Sequence, residues 1–295
     1  MANRIEAFYR PTTMAEALRF MRPPRRGKGR FVAGGTDLIV QADRSVRFVV
    51  DIGRLGLSYI QARDGGYAIG ATTSMWDIEH SPALKKFSSG ILAQAAASSG
   101  SIQLRNMATI GGNLANASPA ADLAPPLLAL DAVVVMAGPA AAGRRTVPLS
   151  EFFLGVRKTV LKGSLLVEIL IPATPRSRFA GWSFQKLGRT LSDISVVNAA
   201  AGIQLDRQGR CAWARIALGA VAPTPLRARQ AEEMLTGNIL DRALLERVCQ
   251  KVSEEVRPVT DIRSTAEYRR EMSGVLVRHA LEECAGRIGY EFKRA

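Results

Sequence analysis

The spacing of hydrophobic positions changes along the chain and divides it into elements. Near the start, Ala17, Leu18 and Met21 fall on one helical face, and Thr13 and Glu16 stand at capping-box distance, so Thr13–Arg22 predicts a short helix. Phe31-Val32-Ala33 is an apolar run of the buried-strand kind that leads straight into Gly34-Gly35-Thr36-Asp37-Leu38. Strand-like runs recur at Arg47–Ile52, Tyr59–Ala62 and Tyr67–Ala71, with Gly65-Gly66 as a hairpin signal between the last two. Ser81–Ser99 predicts one helix, with Pro82 near its first turn. Thr109–Asp122 is dominated by small residues and has neither a helical nor a strand period. Pro125-Pro126 opens an apolar helix through Leu130, followed by strands at Ala132–Met136, Arg144–Pro148 and Leu165–Ile171.

The segment Pro172–Arg178 carries two prolines and two arginines and predicts a domain boundary. Beyond it, Trp182–Leu187, Ile194–Leu205 and Cys211–Val221 read as strands from their β-branched and aromatic content. Helices are predicted near Arg229–Leu235, Asp241–Arg257 and Thr265–Arg287. Strands followed by helices indicate an α+β arrangement in this second part. No internal repeat or low-complexity segment is present.

At 295 residues the chain has the length of two domains or one large one, and its 47% hydrophobic content is ample for a packed core. Disorder is expected only at the ends and in Pro23–Arg30. The net charge of +14 raises the question of a nucleic-acid partner. Lysines and arginines are scattered, though, and aromatic residues, at 6%, do not interleave with basic runs as a base-stacking surface requires. An acidic protein partner or an anionic ligand suits the charge at least as well. Cys211, Cys249 and Cys284 are far apart and form no CxxC pair, so they read as buried free thiols rather than a zinc, iron–sulfur or disulfide framework. The start MANRIEAFYRP lacks the apolar core of a signal peptide, and no run of about 18 apolar residues occurs. A soluble, cytoplasmic protein without membrane insertion is expected.

Two glycine pairs carry the candidate chemistry: Ala33-Gly34-Gly35-Thr36-Asp37 and Thr109-Ile110-Gly111-Gly112-Asn113. Glycine allows close backbone approach, and successive N–H groups can converge on an anion. Two such loops facing each other would cradle a pyrophosphate; either alone reads more readily as a tight turn. Neither fits GxGxxG or GxxxxGK[ST], which argues against a Rossmann or P-loop site. His80 and His279 lie outside both loops and read as surface or helix-end residues, and Trp76, Trp182 and Trp213 read as core.

Taken together, these motifs give the chain a resemblance to the FAD-binding medium subunits of molybdenum hydroxylases, the family of xanthine dehydrogenase and carbon monoxide dehydrogenase. The resemblance rests on Phe8-Tyr9-Arg10-Pro11-Thr12, AGGTDL at 33–38, Leu104-Arg105-Asn106 and TIGGNLANASPAADLAPPLLALDA at 109–132. It continues through Leu166-Val167-Glu168-Ile169, KLGRTLSDIS at 186–195 and EYRREMSGVLVRHALEE at 267–283. It implies an α+β chain: a two-part FAD-binding domain of the PCMH type over residues 1–175, then a smaller C-terminal domain of the CO dehydrogenase flavoprotein type over 178–286.

The resemblance also implies roles. Ala33, Gly34, Gly35, Thr36, Asp37 and Leu38, with Thr109, Ile110, Gly111, Gly112 and Asn113, should contact the FAD diphosphate and ribose, and Ala115 should belong to the same site. Asp122 should accept hydrogen bonds from the cofactor, with the Ser118-Pro119 turn holding it; as a bare sequence feature it could also cap a helix. Leu166 should pack near the isoalloxazine, and Lys186 should lie near the flavin, although a solvated surface lysine fits the sequence too. Some relatives carry His-Ser in place of Thr36-Asp37, which leaves the role of Asp37 open, since a carboxylate facing a phosphate is unfavourable unless it points away. The implied partners are a large subunit with a molybdenum cofactor and a small subunit with two 2Fe–2S clusters, in a dimer of heterotrimers. Electrons would pass through FAD on this chain to NAD, oxygen or a quinone. The competing classes are a stand-alone FAD-dependent oxidase or reductase and a non-catalytic basic binding protein.

Overall fold

The computed structural model describes residues 5–22, 28–138, 143–175 and 177–292. The chain opens with strand β1 (Ala7–Tyr9), helix α1 (Met14–Phe20), strand β2 (Lys28–Val32), helix α2 (Thr36–Gln41) and strand β3 (Val46–Asp51). The strands form a parallel sheet in the order β1-β3-β2, as the alternation with helices requires. Thr13 caps α1 through its hydroxyl, but Glu16 reaches back to the N–H of Thr12 instead of closing the box on Thr13. β2 begins at Lys28, inside the stretch expected to be disordered; Pro23–Gly27 lie outside the described residues.

Strands β4 (Ile60–Arg63) and β5 (Gly66–Gly70) form the expected hairpin, one step earlier than the glycine pair suggested. The turn residues are Asp64 and Gly65, at φ 49° and 79°. Two left-handed residues in a two-residue loop make the turn whose twist suits a hairpin. Helix α3 (Met75–His80) follows behind a capping box from Ser74 to Asp77.

The single helix predicted over Ser81–Ser99 is two helices, α4 (Pro82–Lys86) and α5 (Ile91–Ala97). Ser88, Ser89 and Gly90 between them all have positive φ. Contacts from distant segments hold this turn. The Ser89 hydroxyl accepts the N–H of Trp182, and the Ser89 carbonyl accepts from Arg287. Helices α6 (Ile102–Met107) and α7 (Ile110–Ala115) come next, α7 lying in the stretch expected to be without regular structure. Six residues with two glycines leave no period to read, and the capping hydroxyl of Thr109 fixes the helix start.

Helix α8 (Ala124–Ala129), strands β6 (Val133–Ala137) and β7 (Arg144–Pro148), helix α9 (Leu149–Phe152), the small hairpin β8 (Phe153–Gly155) with β9 (Lys158–Thr159), and strand β10 (Leu165–Ile171) complete this half. β4-β5-β10-β6-β7 is an antiparallel sheet. The second half is an antiparallel sheet of β11 (Ala180–Leu187), β12 (Val197–Leu205), β13 (Cys211–Gly219) and β14 (Leu226–Arg227), with helices α10 (Arg229–Leu235), α11 (Arg242–Glu255) and α12 (Ala266–Arg287). β12 starts three residues later than the expected Ile194, so residues 188–196 form a connection.

This last sheet is buried on both faces. Ala199, Ala201 and Ile203 face a core shared with α11 and α12. Trp182, Phe184, Ala200 and Ala217 face the core that also holds α5, α8 and β10. A largely apolar β12, interrupted by Asn198 and Gln204, suits such a position. Of the three tryptophans expected in the core, Trp182 alone is fully buried; Trp213 is half-buried against it, and Trp76 is half-buried and stacked on His80.

Candidate functional site

The two glycine loops meet. A Cβ on Gly34 would stand 1.7 Å from the carbonyl oxygen of Met107, so the loop after β2 lies backbone to backbone on the end of α6, just before Thr109. Gly35, at φ +68°, is the cap residue of α2, and no side chain caps that helix. Thr36, Asp37 and Leu38 form its first turn, where N–H groups have no intrahelical acceptor.

The second loop is built differently from the expected nest. The Ile110 N–H bonds to the Thr73 carbonyl, the Gly111 N–H to the Ala71 carbonyl, and the Gly112 N–H to the Thr109 hydroxyl. A Cβ on Gly111 would lie 2.6 Å from the Ala71 oxygen. Gly111 therefore allows α7 to sit against the chain leaving β5, and the loop's first donors are already engaged.

A cavity of about 330 Å³ opens at this junction, within the size range of small-molecule sites. Its wall brings together Ala33, Gly34, Gly35, Thr36, Asp37 and Leu38 with Thr109, Gly112, Asn113, Ala115, Ser118 and Asp122. Four expected residues stand off this wall. Ile110 is fully buried behind it, Gly111 packs on Ala71, Leu166 lies in the core on β10, and Lys186 sits behind Asp122. The wall also includes Gln41, Ser99, Asn116, Arg157 and Ser192–Ile194, which sequence reasoning did not single out. Gln41 donates to the Asn116 carboxamide oxygen across the cavity from α2 to the end of α7.

Asp122 is only 8% exposed, and its carboxylate is held by the protein on both oxygens. Oδ1 accepts from the Ser195 hydroxyl at 2.5 Å and Asn198 Nδ2 at 2.8 Å; Oδ2 accepts from Lys186 Nζ at 2.8 Å. Lys186 also donates to the Ser98 carbonyl at 2.7 Å. The helix-cap alternative for Asp122 fails, since α8 starts behind Leu123 with no side-chain cap. The solvated-surface alternative for Lys186 fails as well, since its side chain is 8% exposed. Asn198 was missed although its signal was present: a polar residue inside an apolar strand must find partners when buried.

The other acids on the wall are mostly paired. Asp43 bonds to Lys28 at 2.8 Å, and Asp193 lies 3.4 Å from Arg189. Arg30 and Arg157 also line the cavity and have no acidic partner among the described residues; Arg157 reaches only the Asn116 oxygen, at 3.5 Å. The cysteines are all buried, and burial pushes the Cys211 and Cys249 thiols up to about 11, which makes them poor nucleophiles and metal ligands. Among the described residues no group of His, Cys, Asp and Glu could hold a metal ion, and no helix is long and apolar enough to cross a membrane.

Residues 3–174 match the family described as FAD binding domain in molybdopterin dehydrogenase, and residues 182–284 match the CO dehydrogenase flavoprotein C-terminal domain. The xanthine dehydrogenase FAD-binding subunit of Escherichia coli O157:H7 is 30% identical over 290 residues, covering 96% of this chain and 97% of the relative. The carbon monoxide dehydrogenase medium chain of Afipia carboxidovorans is 32% identical over 286 residues, covering 95% and 96%. Among solved structures, the carbon monoxide dehydrogenase of Hydrogenophaga pseudoflava lacking the Mo-pyranopterin moiety superposes with a TM-score of 0.90 at 30% identity, over 97% of this chain and 99% of the other.

Proposed function

The chain belongs to the FAD-binding medium subunits of the molybdopterin dehydrogenases, and from that premise we propose that it is the electron-carrying subunit of a molybdenum hydroxylase. It takes electrons from iron–sulfur clusters on a small partner subunit and passes them to an acceptor such as NAD, oxygen or a quinone. Organic substrate is oxidised at a molybdenum cofactor on a large partner subunit, in a dimer of heterotrimers. The observation that carries this reading is the junction of two glycine loops on one cavity wall.

The residues present fit FAD. The Asn113 side-chain oxygen is buried on the wall without a hydrogen-bond partner, an acceptor suited to a ribose or ribityl hydroxyl. The uncapped first turn of α2 and the cations Arg30 and Arg157 suit a diphosphate. Ala33–Leu38 and Thr109, Gly112 and Asn113 thus bind the diphosphate and ribose. Ala115, Ser118 and Asp122 continue the wall, while Ile110, Gly111, Leu166 and Lys186 support it from behind. When bound, FAD supplies the redox chemistry, since it takes up electrons singly and gives them up in pairs.

Purification of the full chain from its natural source, with identification of the co-purifying proteins by mass, tests the assembly. The isolated chain should be yellow and unable to oxidise the substrate of the intact enzyme. Adding the molybdenum and iron–sulfur subunits should restore substrate-driven bleaching of the flavin. Turnover by the isolated chain at the rate of the intact enzyme would overturn the proposal.

A further inference from the structure

The turn that carries Asp122 belongs to the first half of the chain, yet the second half holds it. Ser195 and Asn198 are both 0% exposed, and both donate to the same carboxylate oxygen. Lys186, at the end of β11, takes the other oxygen. A second grip lies three residues before Asp122, where the Ala220 N–H, just past the end of β13, donates to the Pro119 carbonyl at 2.7 Å. Gly219 beside it is a space requirement: a Cβ there would stand 2.2 Å from the Asn198 side-chain oxygen.

We propose that Ser195 and Asn198 are positioning residues of the FAD site, acting through Asp122, and that the C-terminal sheet thereby sets how tightly the chain holds FAD and at what potential. The inference rests on the FAD-binding function proposed above. Three donors from the second half confine a carboxylate that lines the cavity, with the Ser99 hydroxyl a more distant fourth at 3.5 Å, and the side chains of Lys186, Ser195 and Asn198 are not themselves on the wall. Without the two Oδ1 donors the carboxylate is held on Oδ2 alone, so its orientation is less fixed and its charge less compensated. A less compensated anion beside the flavin opposes the arrival of electrons, so the potential should fall.

The alternative is that the cluster only fastens the two halves together. Ser195→Ala and Asn198→Leu in the full chain separate the two roles, read by FAD titration, flavin absorption and midpoint potential. Positioning predicts about 10-fold or weaker FAD binding in each variant, as expected for one lost charge-assisted hydrogen bond. It also predicts a changed flavin band and a lower potential. Val252→Ala, in the core of α11 away from the cavity, serves as a control that loses stability and should keep wild-type FAD affinity and potential. If Asn198→Leu does not fold, Ser195→Ala carries the test. Wild-type affinity and potential in the folded variants would overturn the inference and leave FAD binding standing. Equal losses in Val252→Ala would also overturn it. A wild-type chain that takes up no FAD would overturn the function proposed above together with the inference.

Discussion

At Gly34 a single methyl group decides whether the two loops can touch. Its added Cβ would overlap the Met107 backbone, which cannot give way as a flexible side chain could. Gly34→Ala should therefore separate the loops and abolish FAD binding, measurable as flavin content of the folded protein. Gly35→Ala is a milder change: a left-handed φ costs an L-residue roughly 1–2 kcal/mol, and FAD affinity should weaken rather than vanish. Asp122→Ala does more than remove a wall residue, because it leaves Lys186 buried without its counter-charge. Breaking a buried pair costs about 3–5 kcal/mol, so this variant should lose stability in denaturant titration as well as FAD affinity, and Asp122→Asn should lose less of both. The glycine pairs were legible in the sequence because two of them recur, each followed by residues with side-chain or backbone donors. What the second pair does was not legible, because the neighbour that Gly111 accommodates, Ala71, is about 40 residues away in the chain. Ser195 and Asn198 were hidden for the same reason: their partner Asp122 lies 73 and 76 positions away.

Among the elements, the strands of both large sheets followed from the sequence except the two-residue β14, and the long helices α11 and α12 from their length. Short helices at the cavity did not, since six residues hold less than two turns of pattern. Their ends carry the information instead. Thr109 caps α7 and points that helix at the cavity wall, so Thr109→Ala should cost about 1 kcal/mol and weaken FAD binding together. At the other end of α2, exposed Ala42 is left-handed at φ 48°. Ala42→Gly should stabilise the chain by up to about 1 kcal/mol, seen as a higher Tm with FAD affinity unchanged. The break between α4 and α5 was illegible because Ser88-Ser89 carries no strong signal, and the contacts that hold it come from Trp182 and Arg287.

Over the whole molecule, the segment Pro172–Arg178 divides the chain more cleanly than it divides the core. Trp182 and Phe184 from beyond it share one apolar cluster with Ile69, Leu127 and Leu166 from before it. A buried ionic clamp repeats the connection. Arg227 makes two bonds to Glu232 and reaches the Leu128 carbonyl and Asp131 at the end of α8. Arg227→Leu would strand the buried Glu232 and should cost about 3–5 kcal/mol, with the two halves still unfolding in one calorimetric transition. Such a joint core explains how strands in the second half can hold a residue on the cavity wall of the first. A boundary rich in proline and arginine is visible in sequence; that the surfaces on either side stay packed together is not, because an alternation-free strand such as β12 does not say what covers each face. What the cavity holds decides the function. The most direct measurement is chromatography of the chromophore released from the purified full chain by mild denaturation, with its ratio to protein. One FAD per chain is the expected result; FMN alone, or a chain that stays colourless after incubation with FAD, would contradict it.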